Sequence, residues 1–200
     1  MAIIRSLVVV LICLIHVPGF AQTASKRIRG DIVSIDGSKM QVASRTGEKI
    51  DLKIDDKLTV NAVVPIEASA IAPGSYIGAA TLPQPDGSLK ALEVLVFPES
   101  GRGSGEGHYA WDLQPGSMMT NATVAQVTQV DKDRRISVKY KDGEKTITLP
   151  TGVPIVTFEP GDRSMLKPGA HVFFSAMPQA DGSLTVARIN VGKNGLVPPM

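Results

Sequence analysis

Cysteine is almost absent from this chain: Cys13 is the only one, and it sits inside the apolar N-terminal run. With that run removed no thiol is left, which excludes disulfides, thiolate metal sites and cysteine nucleophiles together. Cys13 does not mark lipid attachment either, because Ile12 rather than a small residue precedes it and the position is too early for the cleavage point. Aromatic residues make up only 4 % of the chain, with a single tryptophan, and charge of one sign is also lacking, with 21 Lys+Arg against 19 Asp+Glu. The short basic clusters Lys26/Arg27/Arg29 and Lys132/Arg134/Arg135 read as solvated strand ends. A nucleic-acid-binding surface needs a larger positive excess and exposed rings, so no nucleic-acid partner is expected.

Long hydrophobic runs are missing beyond the N-terminus. Leu7 to Val17 is nearly all apolar but well short of the ~20 residues a transmembrane helix needs. Catalytic signatures are missing as well: there is no G-x-S-x-G elbow, no paired-histidine zinc motif and no phosphate-cradling loop. Gly101-x-Gly103-x-Gly105 lacks the following Lys-Ser/Thr of such a loop.

The opening residues have the three parts of a secretory signal: Arg5, the apolar stretch, and the small-x-small site Gly19-Phe20-Ala21. Cleavage is expected after Ala21, removing a signal helix and leaving an exported, periplasmic protein without a transmembrane span.

The rest is a duplication. Leu82 to Val96 reads LPQPDGSLKALEVLV and Met177 to Val191 reads MPQADGSLTVARINV. Pro73-Gly74 and Pro168-Gly169 precede these endings at nearly the same distance, and Gly47-Glu48-Lys49 recurs as Gly143-Glu144-Lys145. A repeat of this kind fixes the architecture before propensities are weighed. Each copy, 28–96 and 121–191, reads as β throughout. Asp36-Gly37 joins two alternating runs as a hairpin turn, and Ile50, Leu52 and Ile54 alternate with Asp51 and Lys53. Short strands with frequent turns predict a small barrel, which also removes sheet edges.

The expected fold is therefore all-β, with two tandem small β-barrel modules of the OB-like (oligonucleotide/oligosaccharide-binding) type. A pair of small sandwiches is the alternative. The limits are 1–21 for the signal peptide, 26–98 and 121–192 for the barrels, 99–120 for a Gly-rich linker and 193–200 for an irregular tail.

The linker concentrates unusual residues: His108, Trp111, Met118 and Met119. Imidazole and thioether ligands suit Cu(I), and an indole face can cap a cation, so these four are the candidate metal ligands and a copper ion the candidate cofactor. Small periplasmic copper carriers built on a five-stranded barrel use a similar palette, although their methionines alternate and these are adjacent. In the other reading, Trp111, Leu113 and one methionine form an apolar plug between the barrels. Glu106, His108 and Asp112 have residue types suited to acid–base work, but they lie on a Gly-rich stretch where rigid placement is not expected.

The repeats, the Gly-Glu-Gly-His segment (Gly105 to His108), Trp111-Asp112-Leu113, Met118 to Thr123 and the ending Val197-Pro198-Pro199-Met200 together resemble a family of small exported proteobacterial proteins. Their modules are barrel-like domains of unknown function, and the resemblance covers essentially the whole mature chain. It implies a fold and a compartment rather than an activity. Members are often called metal transporter permeases, a role this sequence has no span to perform. The functional expectation is a periplasmic, non-enzymatic binding or scaffolding protein acting on an envelope protein or a small ligand. Metal handling through the linker is the alternative, and an envelope enzyme the second alternative.

Overall fold

The computed structural model describes residues 25–200, so the signal segment expected over 1–21 lies outside the described residues. Twelve strands run through the described residues: β1 (Lys26–Asp36), β2 (Lys39–Ser44), β3 (Lys49–Pro65), β4 (Tyr76–Pro83), β5 (Leu89–Val96), β6 (Gly107–Ala110), β7 (Met118–Val130), β8 (Asp133–Tyr140), β9 (Gly143–Leu149), β10 (Ile155–Pro160), β11 (His171–Pro178) and β12 (Leu184–Gly192). The protein is nearly all β and contains a closed five-stranded barrel, as the alternating runs imply.

That first barrel begins as the expected meander. β1 pairs with β2 and β2 with β3, both antiparallel, setting Ile32 beside Val42 and Val42 beside Ile50. It is completed by strands from the far end of the chain. β11 lies against β1 with Ile28 opposite Phe174, and β12 closes the circuit in parallel on β3, from Thr185/Lys53 to Gly192/Val63. Inward residues from all five strands form one buried cluster that includes Ile28, Val42, Leu52, Phe174, Val186 and Ile189.

Five of the seven remaining strands form a second circuit. β7, β8 and β9 make its meander, β4 pairs with β7 and with β5, and β5 closes on β9 in parallel at Leu89/Ile147 and Lys90/Thr148. Its core holds Ile77, Ala79, Val94, Val124, Ile136, Val138 and Ile147.

The strand pairing thus differs from the tandem modules expected at 26–98 and 121–192. Each circuit takes three strands from one repeat and the final hairpin from the other. The long strand β3 supplies the physical reason. Its outer half is bonded to β12 on one edge, while β10 takes the other edge from Asn61 to Pro65. No edge remains there for the hairpin of its own repeat. β3 runs continuously from Lys49 to Pro65, and its register with β12 shifts between Val186/Ile54 and Arg188/Thr59.

The stretch 99–120 does not behave as a flexible linker. β6 pairs with the start of β7, and the Gly-rich loop before it is held by side chains: Arg102 donates to the Gly74 carbonyl at 3.0 Å and Tyr76 to that of Ser104 at 3.2 Å. The tail also folds back, burying Met200 in a third cluster between the circuits with Val63, Leu95, Val156 and Phe173. Gly192 permits this return, since a Cβ there would stand 1.6 Å from the Leu196 carbonyl oxygen.

Candidate functional site

The register of β6 on β7 decides where the four candidate ligands go. His108 stands opposite Thr120, Tyr109 opposite Met119 and Ala110 opposite Met118. Residues directly opposite share a face, and neighbours along a strand alternate. His108 and Met118 therefore share the face of Thr120, whose partner on β4, Ala79, belongs to the second core. Met119 falls on the other face with Tyr109, and Trp111 packs with them towards the first barrel. The tetrad is split two and two across a sheet, so one ion cannot take all four. The adjacent methionines impose this split, because a strand alternates its side chains.

His108 and Trp111 are also engaged elsewhere. The His108 Nδ1 lies 2.8 Å from Thr120 Oγ1, and its ring lies 6.4 Å from that of Tyr140. Burial, helped by Lys145, pushes its pKa below the usual imidazole value. The indole face of Trp111 does cap a cation, but the cation is Arg27, with its guanidinium 4.2 Å from the ring centroid. Asp112 bridges Arg27 at 3.0 Å and Arg29 at 2.8 Å. Partial burial raises the Asp112 carboxyl, but the hydrogen bonds from Arg29 and Arg27 outweigh that and hold it below the usual range. Glu106 accepts from the Lys141 backbone N–H at 3.0 Å. Glu106, His108 and Asp112 thus serve three separate contacts. Among the described residues, no three His, Cys, Asp or Glu side chains gather as a metal site.

Trp111 and Met119 instead join a pocket of about 180 Å³ between the two barrels. On the side of the second barrel its wall is Gly78, Leu95, Phe97, Tyr109, Met119 and Asn121; on the other it is Phe158, Phe173, Arg188, Asn190 and Met200. Phe97 and Phe158 meet edge to face at 6.3 Å. Asn190 is fixed in place, accepting from Asn61 at 2.9 Å and donating to the Phe173 carbonyl at 3.0 Å.

Two buried polar atoms at this pocket have no partner among the described residues: Asn121 Oδ1 and Trp111 Nε1. Asn121 is only 7 % exposed. Its Nδ2 donates to Ser104 and Gly105 carbonyls and to the Tyr109 hydroxyl, which leaves Oδ1 idle. Gly78 makes room for that oxygen, since a Cβ there would come within 2.6 Å of it. An unpaired buried acceptor costs about 1–3 kcal/mol.

Close by, Glu93 shares its strand face with Leu95, and both carboxylate oxygens are buried without a partner among the described residues. Burial pushes its pKa up to about 7, against the opposing pull of Arg29 and Arg45.

A wider groove of about 790 Å³ runs over β1–β3 beside the Gly182-Ser183-Leu184 turn. Its polar groups are largely satisfied: Lys26 pairs with Glu48, Lys53 with Asp181, and Gln41 donates to Asp51. The smaller pocket, with its unmet hydrogen-bonding groups, is the stronger candidate.

Sequence reasoning found Trp111 and Met119 but missed Arg188, Asn190, Asn121 and Glu93. A lone acid within Leu89-Lys90-Ala91-Leu92-Glu93-Val94-Leu95-Val96 was a readable signal for Glu93. Arg188 and Asn190 carried none, because their place at the pocket depends on the exchanged hairpin. Comparison of the chain with models of known families, with curated proteins and with solved structures finds no match in any of the three.

Proposed function

We propose that this protein is a non-enzymatic binding protein of the bacterial periplasm, with the pocket between its two barrels as the site for a small ring-bearing ligand. The observation that carries this reading is the idle Oδ1 of Asn121 beside an aromatic-lined void of about 180 Å³. Buried acceptors are normally satisfied, and a ligand donor would satisfy this one. A cavity of about 150 Å³ is enough for benzene, so the size suits one ring. Five aromatic side chains, Phe97, Tyr109, Trp111, Phe158 and Phe173, supply complementary faces and edges.

Export rests on Arg5, the apolar run and Ala21 in the sequence. An OB-like reading of each barrel is supported by a three-stranded meander closed by a parallel contact between its third and fifth members.

The test uses Trp111, the only tryptophan. A panel of single-ring compounds is titrated against the mature protein by fluorescence and thermal shift, with the Met200→Trp variant, read by thermal shift alone, as a blocked pocket. Saturable binding by at least one compound, weakened in that variant, is the expected result. Uniformly flat titrations, or binding indifferent to Met200→Trp, would remove the pocket as the site.

A further inference from the structure

The pocket's polar groups are not evenly mixed, and their arrangement specifies more than a ring. Arg188 lines it and forms no ion pair among the described residues. The indole N–H of Trp111 is a second unused donor. Arg27 and Arg29 stand over the Trp111 ring at 4.2 and 5.7 Å; among the described residues Asp112 is the acidic side chain that pairs with both, and Arg29 also donates to the Met200 oxygen at 2.6 Å. Arg45 lies near enough to act on Glu93 together with Arg29. Four guanidinium groups thus face two side-chain carboxyls, Asp112 and Glu93, together with that Met200 oxygen and the Pro198 carbonyl, which accepts from Arg45 at 2.9 Å. Glu93 is held largely neutral below pH 7 by its burial, and Arg188 is the guanidinium left without a partner among the described residues. The surroundings attract negative charge. Against this, Asn121 Oδ1 is an acceptor and needs a donor.

We infer that the ligand is a single-ring aromatic carboxylate bearing a hydroxyl or amino group, with its carboxylate on Arg188, its ring among Phe97, Phe158, Phe173 and Trp111, and its donor on Asn121 Oδ1. This rests on the pocket being the binding site. The guanidinium offers a forked pair of donors that suits a carboxylate. Partners, charge and ring are all required together. An aliphatic acid would forgo the ring contacts, a neutral phenol would leave Arg188 unpaired, and plain benzoate would leave Asn121 unpaired.

The experiment is a titration of the full mature protein with para-hydroxybenzoate, benzoate, phenol and cyclohexanecarboxylate, read by Trp111 fluorescence and calorimetry. One-to-one binding is expected, with para-hydroxybenzoate tightest. Because Asn121 also holds the Gly-rich loop, its acceptor is read from the ligand side. Omission of the hydroxyl should weaken binding about fivefold or more, as expected for a buried oxygen left unpaired. Arg188 is exposed, so Arg188→Ala should fold normally, weaken the two aromatic acids about tenfold or more and leave phenol unchanged.

Phenol binding as tightly as the acids would overturn the ligand class while leaving the pocket intact. Acids binding equally well to Arg188→Ala would overturn the anchor. If no compound binds, both the class and the pocket fall.

Discussion

The two halves of the inter-barrel surface are built from equivalent repeat positions, yet they carry different side chains. Aligning the endings at Asp86-Gly87-Ser88 and Asp181-Gly182-Ser183 sets Glu93 against Arg188, Leu95 against Asn190, and Phe97 against Gly192. One strand earlier, Gly78 corresponds to Phe173 and Ala79 to Phe174. The register extends the comparison: Gly78 pairs with Asn121 as Phe173 pairs with Arg29. A symmetric duplication would have met itself ring to ring. Instead a glycine faces the space a phenylalanine fills in the other half, and an acid takes the place of a base. The pocket is the difference between the repeats, and it cannot be read from either alone.

The cores show the same divergence, and they give the largest test. The first barrel fills its interior with Phe174, whereas the second has Ala79 at the equivalent place. Phe174→Ala removes a fully buried ring and should cost about 3–5 kcal/mol. The corresponding cut in the second core, Ile136→Ala, should cost about 2–5 kcal/mol. Because each barrel borrows its last hairpin from the other repeat, both variants should lower one shared unfolding transition. Far-UV circular dichroism and Trp111 fluorescence should therefore coincide on melting. Two separated transitions would mean that the barrels unfold independently despite the exchange.

The comparison at Glu93 and Arg188 makes a pH prediction. The folded-state pKa of Glu93 is about 7, above the ordinary 4.5, so the native state binds more protons than the unfolded state between those values. Stability should then fall as pH rises from about 4.5 to 7 and level off above, a loss on the order of 3 kcal/mol for this group. Glu93→Gln removes the ionisable group and should flatten that decline. Melting temperatures of both proteins from pH 5 to 8 measure it. Parallel curves would show that burial of Glu93 carries no pH-dependent cost.

How far the sequence disclosed all this depends on whether a signal was local. Turns such as Asp36-Gly37 and alternation such as Ile50/Leu52/Ile54 are local, and they yielded the strands and the barrel. The segment around Trp111 was legible as unusual because its residue types are rare in this chain. The hairpin exchange was not legible, since a repeat reports similarity and not which copy a strand joins. β9 and β10 show why. Pro150 and Pro154 interrupt the counterpart of the continuous β3, yet both versions keep a parallel contact with a fifth strand. The His108, Trp111, Met118 and Met119 tetrad is divided between two faces for a local reason, the strict alternation of β7.

Gly78→Ala tests the asymmetry itself at smaller cost. The new methyl would come within 2.6 Å of Asn121 Oδ1 and 3.1 Å of the Phe97 ring. Such overpacking should cost about 1–3 kcal/mol. It should also abolish binding of any ligand that relies on Asn121. A variant with unchanged melting would mean that the Asn121 side chain swings away freely, and the idle oxygen would lose its significance.

The smallest effect belongs to Asp112, which ties β1 to the segment carrying Trp111. Its carboxylate is 46 % exposed and holds Arg27 and Arg29, so Asp112→Asn should cost about 1 kcal/mol or less. The carboxyl is depressed in the folded state, so its contribution is present above the ordinary carboxylate pKa and disappears as pH falls through the lowered value. The wild-type advantage should therefore vanish in acid and shrink in high salt. That behaviour is opposite to Glu93, whose penalty grows with pH. The two carboxyls meet different fates because Asp112 faces two guanidiniums at contact distance, whereas Glu93 feels its arginines only at range. If Asp112→Asn instead loosened Trp111, its fluorescence would shift to longer wavelength at neutral pH. The ion pairs would then set the position of the pocket wall rather than decorate its rim.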